Sequence, residues 1–217
     1  MRSSLLIDQN CFKIMTTQPR LSFKGLKGFP EEIDSSGKTL TLPFLEASNE
    51  VIEIIESFGK LFKPIVMDMR GNTRQLLELY NKDTKNWMYL EDMVLFAPEL
   101  GCRSWMLWLK RALELIERFF TYILNDEEIL AQKSDSLQPH LLKSYDEVLK
   151  PYHGFFIQKT FSMLYRFVPS RKSLLGENEY FEENINSLRV YLPKFRMHII
   201  KIDRFLKENG FDDQTKV

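Results

Sequence analysis

The spacing of the apolar residues between Trp105 and Ile123 constrains this chain more than any other feature. Trp105, Trp108, Leu109, Ala112, Ile116, Phe119, Phe120 and Ile123 recur at three- and four-residue intervals, with Lys110, Glu114 and Glu117 off the stripe. Side chains so spaced share one face of an α-helix, which predicts a long central helix that needs partners on its apolar side. The same period extends both ways. Phe44, Ala47, Val51, Ile54, Ile55 and Phe58 predict a helix capped by Thr41, with Pro43 in its first turn and Gly59 at its end. A second runs from near Pro64 through Ile65, Met69, Leu76 and Leu79 to about Tyr80, and residues 87–97 form a shorter one ending at Pro98. After a polar connection from Asp126 to Gln138, residues 139–168 read as two helical stretches, interrupted at Pro151 and stopped by Pro169. Residues from about Glu179 to Asn209 form one helix or a pair bent at Pro193. No period-two run, internal repeat or low-complexity block competes, so the fold class is all-α.

A chain of 217 residues fits a single domain around one core. Residues 1–40 hold Pro19, Gly25, Gly28, Pro30, Ser35, Ser36 and Gly37 with weak periodicity, and read as an irregular N-terminal arm ahead of a domain spanning 41–217. Within the arm, Ser36-Gly37-Lys38-Thr39 imitates the end of a phosphate-binding loop, but Glu32 occupies the upstream glycine position and no apolar strand precedes it. Lysine plus arginine equal aspartate plus glutamate at 30 each, so there is no global basic field and no nucleic-acid partner is expected. Cys11 and Cys102 sit in no CxxC or metal-like pattern, which suits a reducing compartment. The apolar start meets Asp8 too early for a signal peptide, and no apolar run approaches the roughly 20 residues of a membrane span. The expectation is a cytoplasmic protein that meets membranes only from outside.

Few residues carry chemistry. Asp68, Asn72 and Gln75 stand at i, i+4 and i+7 on one helical face, with Gly71 beside them. Carboxylate and amides there form either a hydroxyl-reading set or a solvated surface. Trp108 is either a flat platform for a sugar ring or a core residue, and Trp105 on the same stripe is the better candidate for the core. His153 shares a helical face with Leu149, Phe156, Thr160, Leu164 and Phe167, and is either a core histidine or a donor to a buried carbonyl. The 17 phenylalanines fill an aromatic core or line a pocket that reshapes around acyl chains. Enzymatic readings lack parts. There is no G-x-S-x-G, no H-E-x-x-H and no Gly-rich dinucleotide turn, and His140, His153 and His198 have no metal-like spacing. One Asp and one His could exchange protons, but nothing supplies a nucleophile or oxyanion donors. Neither an enzyme nor a metal or cofactor is expected.

Four stretches together resemble the glycolipid transfer protein family: Pro43-Phe-Leu-Glu-Ala47, Asp68-x-x-Gly-Asn72, Leu107-Trp-Leu-Lys-Arg111, and Tyr145 to Lys159 with its Tyr-His-Gly and Phe-Ile-Gln-Lys. They occur in the family's order from about 41 to 169, and the ending Thr215-Lys-Val217 is similar to its short tail. The resemblance implies a two-layer sandwich of α-helices enclosing a hydrophobic pocket for sphingosine and acyl chains. It implies that Asp68 bonds the ceramide amide N–H and a sugar hydroxyl, Asn72 bonds the sugar, Trp108 stacks under it and His153 bonds the amide carbonyl. Gln75 replaces the family's sugar-binding lysine, and Arg74 beside it points off that face. A sister branch that carries ceramide-1-phosphate has basic residues where Asn72, Ser104 and Trp108 stand, so these uncharged positions favour a sugar head. Ser104, where the glycolipid branch is apolar, and the adjacent Arg103 leave a phosphate reader open. Phe155 replaces the family's membrane-facing tryptophan, and with Phe156, Lys159, Tyr165 and Arg166 it offers an aromatic and basic docking patch. The resemblance thus implies a monomeric, non-enzymatic carrier of a glycosphingolipid with transient, peripheral membrane contact. Its alternatives are a ceramide-1-phosphate carrier and a sphingolipid sensor or adaptor with little transfer.

Overall fold

The computed structural model describes residues 19–31, 37–97 and 101–217. Among them are nine α-helices and no strand: α1 Thr41–Glu56, α2 Lys63–Lys82, α3 Leu90–Phe96, α4 Cys102–Leu124, α5 Glu127–Leu130, α6 Gln138–Val148, α7 Phe155–Leu164, α8 Arg171–Leu175 and α9 Asn178–Glu208. Pro98, Cys11 and, of the phosphate-loop mimic, Ser36 with the upstream Glu32 lie outside the described residues. Lys38 and Thr39 of that mimic are tied to α3, Lys38 by an ion pair to Asp92 at 2.7 Å and Thr39 by its N–H donating to the Glu91 carboxylate.

The stripe of α4 does what its period predicts, and the helix packs against α2, α6 and α9 while α1 lies on α2. Being covered on several sides changes the fate of its charges. Lys110, Arg111 and Glu117 are buried rather than solvated. Lys110 Nζ donates to Asp203 of α9 at 2.7 Å and to Glu114 at 3.2 Å, and Glu117 accepts from Arg196 Nε at 2.5 Å. Removing one partner of such a pair strands a buried charge, at a cost of about 3–5 kcal/mol.

Thr41 does not cap α1. The cap position is Leu40, without a side-chain bond, and Thr41 is already helical. The reason lies in a strand-like contact just before the helix, where Leu40 pairs with Tyr89 and Thr41 N–H donates to Met88 O at 2.9 Å. That contact turns the Thr41 hydroxyl toward Trp87 O, to which it donates at 2.7 Å.

Residues 19–31 carry neither helix nor strand, yet they are packed. Leu21, Phe23 and Phe29 are buried, with Phe23 edge-on to Phe120 at 5.1 Å and Phe29 stacked on Phe195 at 4.6 Å. Asn184 of α9 holds the segment, its side chain accepting from Phe23 N–H at 3.0 Å and donating to Leu21 O at 3.0 Å. Gly28 takes φ +70, and a Cβ there would press on the Tyr191 ring at 3.2 Å.

α9 runs unbroken through Pro193. A proline inside a helix costs about 3 kcal/mol, and burial of Phe181, Ile185, Leu188, Leu192, Phe195, Ile199, Ile202 and Leu206 outweighs it, at about 1.5–3 kcal/mol each. The short α5 and α8 are started by caps: Asp126 accepts from the N–H groups of Glu128 and Ile129, and Ser170 from Ser173. No described helix is long and apolar enough to cross a membrane.

Candidate functional site

α2 carries Pro64 in its first turn, where a missing N–H costs nothing, and buries Val66, Met69, Thr73, Leu76 and Leu79. That leaves Asp68, Asn72 and Gln75 on another face, Asp68 exposed and the two amides half-buried. Asn72 Nδ2 reaches Asp68 Oδ2 at 3.5 Å, a contact at the outer limit that leaves both groups free to turn to a ligand. Protein around the Asp68 carboxyl pushes its pKa above the ordinary 3.8 by desolvation, although the side chain is open on one side. Gly71 and Arg74 belong to a different side, where they line a hollow of about 530 Å³ with Asn49, Met67 and Arg70. Arg74 is exposed and pairs loosely with Glu78 at 3.8 Å.

Trp108 and Trp105 are both half-buried, and Met106, Leu107 and Leu109 take the core positions of that turn instead. The Trp108 indole stacks on the His153 imidazole, with ring centres 5.9 Å apart and planes 18° apart. His153 is not on a helix, which corrects the expected face with Leu149, Phe156, Thr160, Leu164 and Phe167. Pro151 sits in a 3-10 turn at Lys150–Tyr152, His153 follows in extended backbone, and Gly154 is the N-cap of α7. Its neighbours are Trp108 and Tyr145 of α6.

The Tyr145 hydroxyl lies 3.1 Å from His153 Nδ1. Burial pushes the Tyr145 phenol up to about 12, so it keeps its proton. Burial, and then the nearby Arg111 charge, pull the His153 imidazole below its ordinary 6.5, which keeps the ring neutral at pH 7. With the phenol donating to Nδ1, the ring proton is assigned to Nε2, where it is available to an external acceptor such as an amide carbonyl. α4 lies between the two halves of the constellation, packed on α2 with Asp68 and Asn72 and on α6 with Tyr145.

Residues 39–178 match the family described as Glycolipid transfer protein, GLTP. The chain belongs to this family. It is 26% identical over 195 residues to Glycolipid transfer protein 1 of Arabidopsis thaliana, covering 87% of this chain and 94% of that one. Among solved structures it is similar to the one that addresses how FAPP2 selects simple glycosphingolipids using the GLTP fold, at TM-score 0.76 and 22% identity, covering 91% of this chain and 97% of that one. It is also similar to human ceramide-1-phosphate transfer protein in complex with 2:0 ceramide-1-phosphate, at TM-score 0.71 and 18% identity, covering 83% and 91%. GLTP-family proteins are lipid carriers rather than enzymes, and both glycolipid and ceramide-1-phosphate transfer occur among them.

In this GLTP-family chain Ser104 is exposed, and the neighbouring Arg103 guanidinium is occupied. It lies 4.1 Å over the Phe211 ring, with Nη2 donating to Leu95 O at 3.4 Å and Nε to Val94 O at 3.5 Å. Of the docking patch, Phe155 is 73% and Phe156 82% exposed, Lys159 and Arg166 are exposed, and Tyr165 is half-buried against the core. Met163 and Phe167 are exposed as well, so the apolar surface here is broader than the sequence suggested.

Sequence reasoning missed three contributors. Tyr145 was visible only as part of a matching stretch, eight residues before the histidine it bonds. Arg111 stands one turn after Trp108, and its guanidinium lies 3.4 Å over the Tyr152 ring. Asp212, which holds it at 2.9 Å, lies 101 residues away and gave no signal.

Proposed function

We propose that this protein binds a glycosphingolipid, most simply a glycosylceramide, and carries it between membranes without chemical change. The observation that carries the reading is the stacked Trp108–His153 pair with its Tyr145 bond, beside which the Arg111 guanidinium is engaged by Asp212 rather than free for a phosphate. A sugar ring packs on an indole face, and its hydroxyls suit the paired Asp68 carboxylate and Asn72 amide. The His153 Nε2–H suits the ceramide carbonyl. A phosphate would call for free cations, and Arg103 is committed to Phe211 and to backbone carbonyls.

Behind this face Val66, Met69 and Leu76 of α2, Met106, Leu109 and Leu113 of α4, and Leu141 and Val148 of α6 are buried apolar side chains, among which lipid chains would be received. Enclosure matters because each methylene exposed to water costs about 0.8 kcal/mol. The exposed Phe155 and Phe156, flanked by Lys159 and Arg166, provide a transient hold on an anionic bilayer.

Competition transfer from vesicles tests the head group. Wild-type protein should move galactosylceramide in preference to ceramide-1-phosphate, and Trp108→Ala should lose most of that preference. The opposite order would assign the chain to the phosphate-carrying reading.

A further inference from the structure

Arg111 is a buried cation held from the far end of the chain. Its guanidinium lies 3.4 Å over the Tyr152 ring and 5.1 Å from the Trp108 ring. Nη2 donates to Asp212 Oδ1 at 2.9 Å and to the Asp213 carbonyl at 2.5 Å. Beyond these residues the chain returns to the same turn: Val217 N–H donates to Tyr152 O at 3.0 Å, and Gly154 N–H donates to Val217 O at 2.6 Å. Residues 212–217 therefore grip the neighbours of His153 on both sides.

We propose that Asp212 to Val217 form a strap, fastened through Arg111, that sets the positions of Trp108 and His153. Arg111 is then a positioning residue for head-group binding, an inference that rests on the head-group reading above. The physical need is clear from the backbone. His153 lies outside any helix. Although Gln158 of α7 donates to its carbonyl at 2.6 Å and its own N–H donates to Lys150 O at 3.3 Å, the free backbone groups on either side of it, Tyr152 O and Gly154 N–H, are met by Val217. An arginine suits the fastening because its flat faces stack on rings while its in-plane N–H groups stay available to a carboxylate. Gly154 suits it as well, since a Cβ there would meet Val217 O at 3.0 Å.

The test uses the full chain with Asp212→Asn, Gly154→Ala and Arg111→Lys. In lipid-free protein, the NMR signals of the Trp108 indole N–H and the His153 ring report position directly. Galactosylceramide affinity and thermal stability are measured alongside. Each variant should shift both sets of signals and weaken binding about tenfold, as expected for a charge-assisted contact that orients the site. Arg111→Lys keeps the charge but not the flat stack, so it should not restore binding. If it fails to fold, the two tail-side variants carry the test. Unmoved signals with unchanged affinity in folded Asp212→Asn and Gly154→Ala would overturn the strap, as would a loss of stability alone. Shifted signals in a protein whose wild type binds no glycolipid would keep the strap and overturn the head-group reading instead.

Discussion

Desolvation raises the Asp68 pKa above 3.8, so the folded chain holds that proton more tightly than the unfolded chain does. The ionised carboxylate present at neutral pH therefore opposes folding slightly, and the proposed function gives it a part in binding instead. Asp68→Asn should leave the melting temperature of the empty protein unchanged or higher while glycolipid transfer falls at least about tenfold, the scale of a lost charged hydrogen bond. Intact transfer by the folded variant would remove Asp68 from the site. His153 has the opposite sign. Its folded pKa lies below 6.5, so on acidification the unfolded chain takes up the proton first. Stability attributable to this ring is complete above about pH 6.5 and declines as the pH falls from there toward the folded pKa. Denaturation midpoints between neutral and mildly acidic pH should therefore drop for the wild type, and less for His153→Leu. Equal slopes in the two proteins would show that the ring is not buried as described. Galactosylceramide affinity of the same variant at neutral pH then tells whether Nε2 serves a ligand.

At the level of elements, the proposed function assigns anchoring to α7 and separates it from head-group binding. Phe155 and Phe156 project into solvent and contribute little to the core. Replacing either with Ala should weaken partition to anionic vesicles by up to about 1.5–3 kcal/mol, the cost of one buried phenylalanine withheld, while affinity for a short-chain, water-dispersible glycosylceramide is unchanged. Unaltered vesicle partition by the double variant would place the membrane contact elsewhere. The helices themselves were legible wherever an apolar period ran for several turns, as in α1, α2, α4 and α9. What the period could not say was how many sides would be covered, so the burial of Lys110 and Glu117 was invisible until α9 was placed against α4. α5 and α8 are too short to show a period, and the packing of Phe23 and Phe29 depends on Asn184 and Phe195, far off in the sequence. The candidate site divides in the same way. Asp68, Asn72 and Gln75 could be grouped by helical spacing alone, whereas His153 was assigned to a helix that Pro151 and Gly154 in fact delay.

On the scale of the whole molecule, α4 is the common support. It carries Trp108 toward His153, packs on α2, the helix that bears Asp68, and sends Arg111 to the C-terminal strap. The proposed head-group site, drawn from α2, α4, α6, the turn at His153 and the strap, would select its lipid without chemistry. The most direct measurement is native mass spectrometry of the purified full chain after incubation with vesicles holding equal amounts of galactosylceramide and ceramide-1-phosphate. The account predicts a single adduct of hexosylceramide mass per chain, lost in Asp68→Asn. An adduct of ceramide-1-phosphate mass, or no lipid adduct from such vesicles, would contradict it.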